Sequence, residues 1–72
     1  MSHDEILEAF GQRLRMQRQR RGISQEALAA LAGLDRTYIS RCERGHQNVS
    51  LVTLSRLALA LDVRVCELIE NE

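Results

Sequence analysis

The chain predicts an all-α fold, and three observations carry that prediction. Its 72 residues include no proline, while Ala, Leu, Glu, Gln and Arg, all good helix formers, dominate. Apolar residues recur at three- and four-residue spacing, the period of an amphipathic helix. Gly22, Gly33 and Gly45 stand where a helix would end, as glycine does after a last helical turn. A chain of this length forms one domain, near the lower limit for a self-standing core. Phe10 and Tyr38 are the only aromatic residues, so the core must be aliphatic and closely packed.

Taken in order, Ser2 followed three residues later by Glu5 predicts a capping box, with acids in the first turn where the helix dipole favours them. Ile6, Leu7, Phe10 and Leu14 form one apolar stripe, and Arg18, a turn beyond Leu14, extends it with a charge. The first helix should end near Arg21, at Gly22. Ser24 is a good N-cap for a second helix with Gln25 and Glu26 in its first turn. Leu28 and Leu31 are expected to point inward, and the alanines between them allow another helix to cross closely. Gly33 permits a positive φ in the turn, and Leu34 plugs that turn into the core. Asp35 caps a third helix running from Arg36 to about Arg44.

A short polar linker, residues 46–49, leads to Ser50, the expected cap of a fourth helix. There Leu51, Leu54, Leu57, Ala58 and Leu61 share an inward stripe, while Val52 and Leu59 form a second apolar line. Asp62 ends that helix, and a last short one covers about Val65 to Glu70. A peripheral helix needs one buried stripe. The surplus, comprising Val52, Leu59, Val63, Val65, Leu68 and Ile69, is read as a dimer surface in preference to the plainer role of closing a small core.

The formal net charge is zero, but its distribution is uneven. Residues 1–11 carry three acids and no base, and residues 46–72 two arginines against four acids. Residues 12–45 carry eight arginines against Glu26, Asp35 and Glu43, a basic middle in a neutral chain. Most arginines of the first helix are read as a solvated face. The third helix differs. At about 100° per residue, Arg36, Ser40, Arg44, Thr37 and Arg41 fall in one arc from about 0° to 140°. Tyr38, Ile39, Cys42 and Glu43 occupy the opposite arc. One side can pack while the other presents donors, the layout of a helix that enters a DNA major groove.

Other classes find less support. His3 and His46 have no serine, cysteine or second histidine at a helical spacing, and no glycine-rich phosphate loop is present, so no enzyme, cofactor or small-molecule ligand is expected. His3, Asp4 and Glu8 are better explained as an acidic helix start than as a metal site. Cys42 and Cys66 lack CxxC spacing and read as reduced thiols of a cytoplasmic protein, Cys42 in the core. No apolar run approaches a membrane span, and the acids at positions 4, 5 and 8 argue against a secretory leader.

The run from Phe10 to about Ile69 resembles the Cro/repressor-type, phage-repressor-like helix-turn-helix family. The resemblance lies in Gly11-Gln-Arg-Leu-Arg, Gly22-Ile-Ser-Gln-Glu-Ala-Leu-Ala, Ala32-Gly-Leu, Ile39-Ser, Glu43-Arg-Gly and Leu54 to Val63. Within the family, Leu34-Asp-Arg-Thr-Tyr-Ile-Ser and Arg44-Gly-His-Gln-Asn-Val-Ser are most similar to controller proteins of restriction–modification systems. The resemblance implies a compact five-helix, lambda-repressor-like DNA-binding domain over residues 1–72, with its helix-turn-helix at about 25–44. It implies that Arg36, Thr37, Ser40 and Arg41 read bases. It also implies that Gln25, Arg44, Asn48 and Ser50 hold the DNA backbone, and that Arg18 and Glu43 form an internal ion pair. For Tyr38, phosphate contact and packing stand equal. The implied partners are double-stranded DNA, a second copy of the chain and RNA polymerase, with activation and repression both open. The chief rival is a protein-interaction module, an antitoxin or adaptor, against which the arginine face argues. Two features depart from the family pattern: the first helix starts early, so that residues 2–9 pack either on a dimer partner or on the last helix, and Arg64 stands where a serine cap is commoner.

Overall fold

Local capping chemistry sets nearly every helix boundary. The computed structural model describes residues 2–69, which form five α-helices: α1 (His3–Arg20), α2 (Gln25–Ala32), α3 (Arg36–Glu43), α4 (Leu51–Leu61) and α5 (Cys66–Ile69). The Ser2 Oγ accepts from the Glu5 amide at 3.2 Å, and the Glu5 carboxylate accepts from the Ser2 amide at 3.1 Å. These reciprocal bonds are the expected capping box, and they draw the Glu5 carboxyl below its ordinary pKa. Ser24 and Ser50 cap α2 and α4 through the amides of Ala27 and Thr53. Asp35 differs from expectation. It holds the N-cap position of α3 with extended backbone, but its side chain accepts no capping bond.

The helix ends are equally specific. Gly33 closes α2 at φ 68°, and the Leu34 amide donates back to the Ala29 carbonyl at 2.8 Å. Asp62 closes α4 at φ 55°, the one non-glycine residue of positive φ among those described. At the start of α5 the Arg64 amide donates to the Glu67 carboxylate at 2.8 Å. That bond is the reciprocal half of a capping box without the serine half, so the side chain from inside the helix does the capping. The expected extension of α5 to Glu70 lies outside the described residues.

One aliphatic core joins all five helices: Phe10 and Leu14 from α1, Leu28, Ala29 and Ala32 from α2, Ile39 and Cys42 from α3, Leu54, Leu57, Ala58 and Leu61 from α4, and Leu68 from α5. Three inward assignments and one outward assignment require correction. Leu31 is 60% exposed, because Leu28, Ala29 and Ala32 define the buried arc of α2 and Leu31 lies about 110° from its centre. Leu51 is 75% exposed; it opens α4 a turn before Leu54, its first buried residue. Ile6 is 51% exposed at the outer end of the α1 stripe. Leu68, read as part of a dimer surface, is fully buried and belongs to the core of the single chain. α5 packs against α1.

At Gly11 the backbones of α1 and α3 come close together. Gly11 is buried, and a Cβ there would overlap the carbonyl oxygens of Cys42 and Glu43. Those oxygens belong to backbone at the end of α3 and cannot swing aside. Gly11→Ala is therefore expected to destabilise the fold by about 1–3 kcal/mol through overpacking, measurable as a lower midpoint in urea unfolding. An alanine at exposed Gln12, on the same helix, should change it by less than about 0.5 kcal/mol.

Candidate nucleic-acid interface

The outward face of α3 follows from what its inward face buries. Ile39 and Cys42 are fully enclosed, which fixes the rotation of the helix. Arg36, Thr37 and Arg41 are then exposed, Ser40 is half-buried, and Arg44, at the C-cap, is exposed. Gly33 sets α2 against α3 through the left-handed turn that separates them. The arginines and the threonine of the arc expected from the sequence are thus exposed.

Behind that face lies a polar tie joining three helices. The Arg18 Nε donates to Glu43 Oε2 at 2.6 Å and its Nη2 to Glu43 Oε1 at 3.0 Å. The third nitrogen, Nη1, donates to the Ile23 carbonyl at 2.9 Å. Gln25 Nε2 donates to Glu43 Oε1 at 3.1 Å. The two charged side chains are only 12% and 4% exposed, so this is a bidentate, largely desolvated pair with its remaining groups satisfied. The hydrogen bond to Glu43 raises the Arg18 pKa further above its already high ordinary value, against the opposing effect of burial. Arg18 accordingly serves the fold and does not face outward.

Other anticipated DNA-contacting residues have intramolecular partners. Gln25 commits one N–H of its side-chain amide to Glu43, which leaves the other amide N–H and the backbone N–H groups at the start of α2 as donors. Ser50 accepts from the Thr53 amide and donates to Thr53 Oγ1 at 3.0 Å, and so serves α4 as its cap. Asn48 is exposed on the loop after α3. Tyr38 is half-buried with its ring against the core. Burial raises its phenol pKa, with a smaller contribution from Cys42, while a hydrogen bond with Thr53 opposes the rise. Arg41 Nε donates to Gln47 Oε1 at 3.2 Å, and its Nη2 to the His46 carbonyl at 3.4 Å.

Gln47, buried Gln17 and the crossing residue Gly11 escaped the sequence reading as site or support residues. A glutamine six positions from its partner, across a loop, falls on no helical period. Of the residues read as a dimer surface, Val52 and Leu59 are 64% and 82% exposed and lie on the outer side of α4. Ile69 is 55% exposed, whereas Val63 and Val65 are half-buried against the core. Leu31 and Leu59 flank a shallow groove between α2 and α4, lined also by Ala30, Gly33, Arg56 and Ala60.

The Cys42 thiol is pushed up to about 12 by burial, with Glu43 adding to the rise and Arg41 opposing it. It is therefore a neutral packing group. Among the described residues, no three or more His, Cys, Asp or Glu side chains are grouped to hold a metal ion, and no helix is long and apolar enough to cross a membrane.

A helix-turn-helix family model matches residues 14–68 of the chain. Over 69 residues the chain is 38% identical to control protein C.MunI of Mycoplasma sp, a match covering 94% of this chain and 93% of that protein. Over 68 residues it is 41% identical to control protein C.SmaI of Serratia marcescens, covering 94% and 81%. Among solved structures, the restriction-modification controller protein C.AhdI from Aeromonas hydrophila superposes with a TM-score of 0.85 at 56% identity. That match covers 88% of this chain and 96% of the other.

Two outcomes follow from the buried groups. Glu43→Ala leaves the Arg18 charge without its partner and is expected to cost about 3–5 kcal/mol in denaturant unfolding. Replacing both residues by apolar ones of similar volume should restore most of that loss. For Cys42, the folded pKa lies above the ordinary value of 9.0, so its contribution is intact below pH 9 and is lost as pH rises towards 12. Unfolding free energy should fall across that alkaline range, and Cys42→Ala should flatten the fall relative to the unmodified chain.

Proposed function

We propose that this chain, which belongs to the helix-turn-helix family of DNA-binding transcriptional regulators, binds an inverted-repeat operator as a homodimer in the cytoplasm and acts as the control protein of a restriction–modification system. The single observation that carries the DNA-reading part is the exposed arc of Arg36, Thr37, Arg41 and Arg44 on a helix whose other side is buried through Ile39 and Cys42. An arginine presents paired N–H donors that match guanine O6 and N7, and a threonine methyl suits the thymine methyl. Arg36 and Arg41 are accordingly assigned to guanines, Thr37 to a thymine, and Ser40 to a supporting base contact. Arg44, Asn48, Gln25, Ser50 and the Tyr38 hydroxyl are assigned to the sugar–phosphate backbone, where they set register without selecting sequence. For Gln25 the contact is made by the second N–H of its side-chain amide and by the backbone N–H groups at the helix N-terminus, since the other amide N–H is held by Glu43.

One recognition helix reads one half-site, so two copies are needed for a full operator. Val52 and Leu59, with Ile69 and the edges of Val63 and Val65, supply the proposed dimer surface. What supports it is the exposure of large apolar side chains along the outer side of α4, where Val52 and Leu59 are 64% and 82% exposed. Two such helices in successive major grooves stand about 34 Å apart, one turn of DNA. The role of control protein is supported by the matches to C.MunI, C.SmaI and C.AhdI, which cover most of each chain.

Selection of bound sequences from a random duplex pool tests this reading directly, and an inverted repeat is the expected product. A pool that yields no preferred sequence would overturn it in favour of a protein-interaction module, which would also lack a steep fall in affinity with salt. Arg41→Ala should cost about 1–3 kcal/mol and relax preference at one base pair of each half-site, read by competition with operators changed one pair at a time. Leu59→Glu should convert dimer to monomer in sedimentation equilibrium without loss of helicity. Leu68→Ala should instead lower stability by about 2–5 kcal/mol, as truncation in the core does.

A further inference from the structure

We propose that Gln47 is a positioning residue for base recognition: with the His46 carbonyl, it holds the Arg41 guanidinium by one edge so that the other edge faces the DNA. The inference rests on the assignment of Arg41 to a base and extends it to a loop residue outside the recognition helix. A guanidinium carries five N–H donors in a planar fork. Gln47 Oε1 takes the Nε–H at 3.2 Å, and the His46 carbonyl takes one N–H of Nη2 at 3.4 Å. Nε and Nη2 form the side edge of the fork. Three donors remain: both on Nη1 and one on Nη2. The outer edge, formed by Nη1 and Nη2, is the pair that can span guanine O6 and N7.

The loop that carries the acceptors is itself anchored, which separates this arrangement from a casual surface contact. The His46 amide donates to the Arg41 carbonyl at 2.9 Å, so the loop folds back on the same turn of α3 that carries the arginine. Gly45, at φ 76°, approaches α1 so closely that a Cβ there would lie 3.0 Å from the Glu8 Cα. Gln47 is half-buried, whereas Arg41 is exposed. A flexible exposed arginine is thus restrained by a loop anchored to two helices. Part of the ordering that binding would impose on the side chain is done before DNA arrives, the general basis of preorganisation.

The test compares the full-length chain with Gln47→Ala, Gln47→Glu, Arg41→Ala and the double variant Arg41→Ala/Gln47→Ala. Affinities are measured on the selected operator and on operators changed at each base pair in turn. Thermal melts establish that each variant is folded. Gln47→Ala should reduce discrimination roughly three- to tenfold at the same base pair that Arg41→Ala affects, and at no other. Gln47→Glu, which keeps an acceptor for Nε–H, should retain that discrimination. In the Arg41→Ala background, removing Gln47 should have no further effect at that pair. Unchanged discrimination in Gln47→Ala, with the Arg41→Ala effect present, overturns the positioning role alone. Loss at a different base pair, or equal loss on all operators, also overturns it, since Gln47 would then contact a base or a phosphate itself. No change of preference in Arg41→Ala overturns both the assignment of Arg41 and the inference built on it.

Discussion

Glu43 stands at the junction on which the geometry of this domain depends. Its carboxylate is 4% exposed and accepts from Arg18 of α1 twice and from Gln25 of α2 once, while its own backbone ends α3. A buried ion pair is poor evidence of stability by itself, because desolvation offsets much of the attraction. Its value here is geometric. A bidentate bond at 2.6 and 3.0 Å tolerates little sliding between helices, and its location fixes where α3 lies against both neighbours. At the same residue's backbone, the Gly11 crossing brings α1 onto the carbonyls of Cys42 and Glu43. Close backbone approach and a directional polar tie thus act on the same end of the same helix.

That rigidity bears on the outward face. A side chain that selects a base must present its donors within a narrow range of position, and sites built on packed elements hold such tolerances better than free loops do. The face of α3 inherits its orientation from Ile39 and Cys42 inside and from Glu43 at its end. In the proposed arrangement Arg41 gains a further restraint from the loop after α3. The neutral net charge of the chain is compatible with nucleic-acid binding because the cations are concentrated in the middle of the sequence and the acids toward its ends. Electrostatic attraction to phosphates depends on that local distribution.

The fold was legible at most places where a short-range rule applied, the missing side-chain cap at Asp35 being the exception. The Ser2–Glu5 box, the Ser24 and Ser50 caps, the Gly33 turn and the Asp62 stop each depend on residues within one or two turns, and each appears at the expected place. The Arg18–Glu43 pair was reached through the family resemblance, with the helical wheels in agreement. Less legible was which apolar residues are enclosed. Leu31, Leu51 and Ile6 lie on plausible stripes yet remain exposed, while Leu68 is fully buried. Helical periodicity defines a direction around an axis, but it does not say how far along the helix a neighbour extends. In a 72-residue chain with short helices, much of each stripe lies at an end.

By itself, then, the sequence determined the helical class, the helix boundaries, the division of α3 into a donor face and a packing face, and membership of its family. The first three depend on local hydrogen bonding and on the 3.6-residue period, which are properties of neighbouring residues, and the last on the match of its motifs to known chains. Only the tertiary structure decided that Leu68 completes the core of one chain, that Gln25 commits one amide N–H to Glu43, and that Arg41 leans on Gln47 and His46. Those outcomes require knowing where separate helices and a loop meet in space. That placement is set by packing against Gly11, Ile39 and the rest of the aliphatic core, which no local pattern encodes.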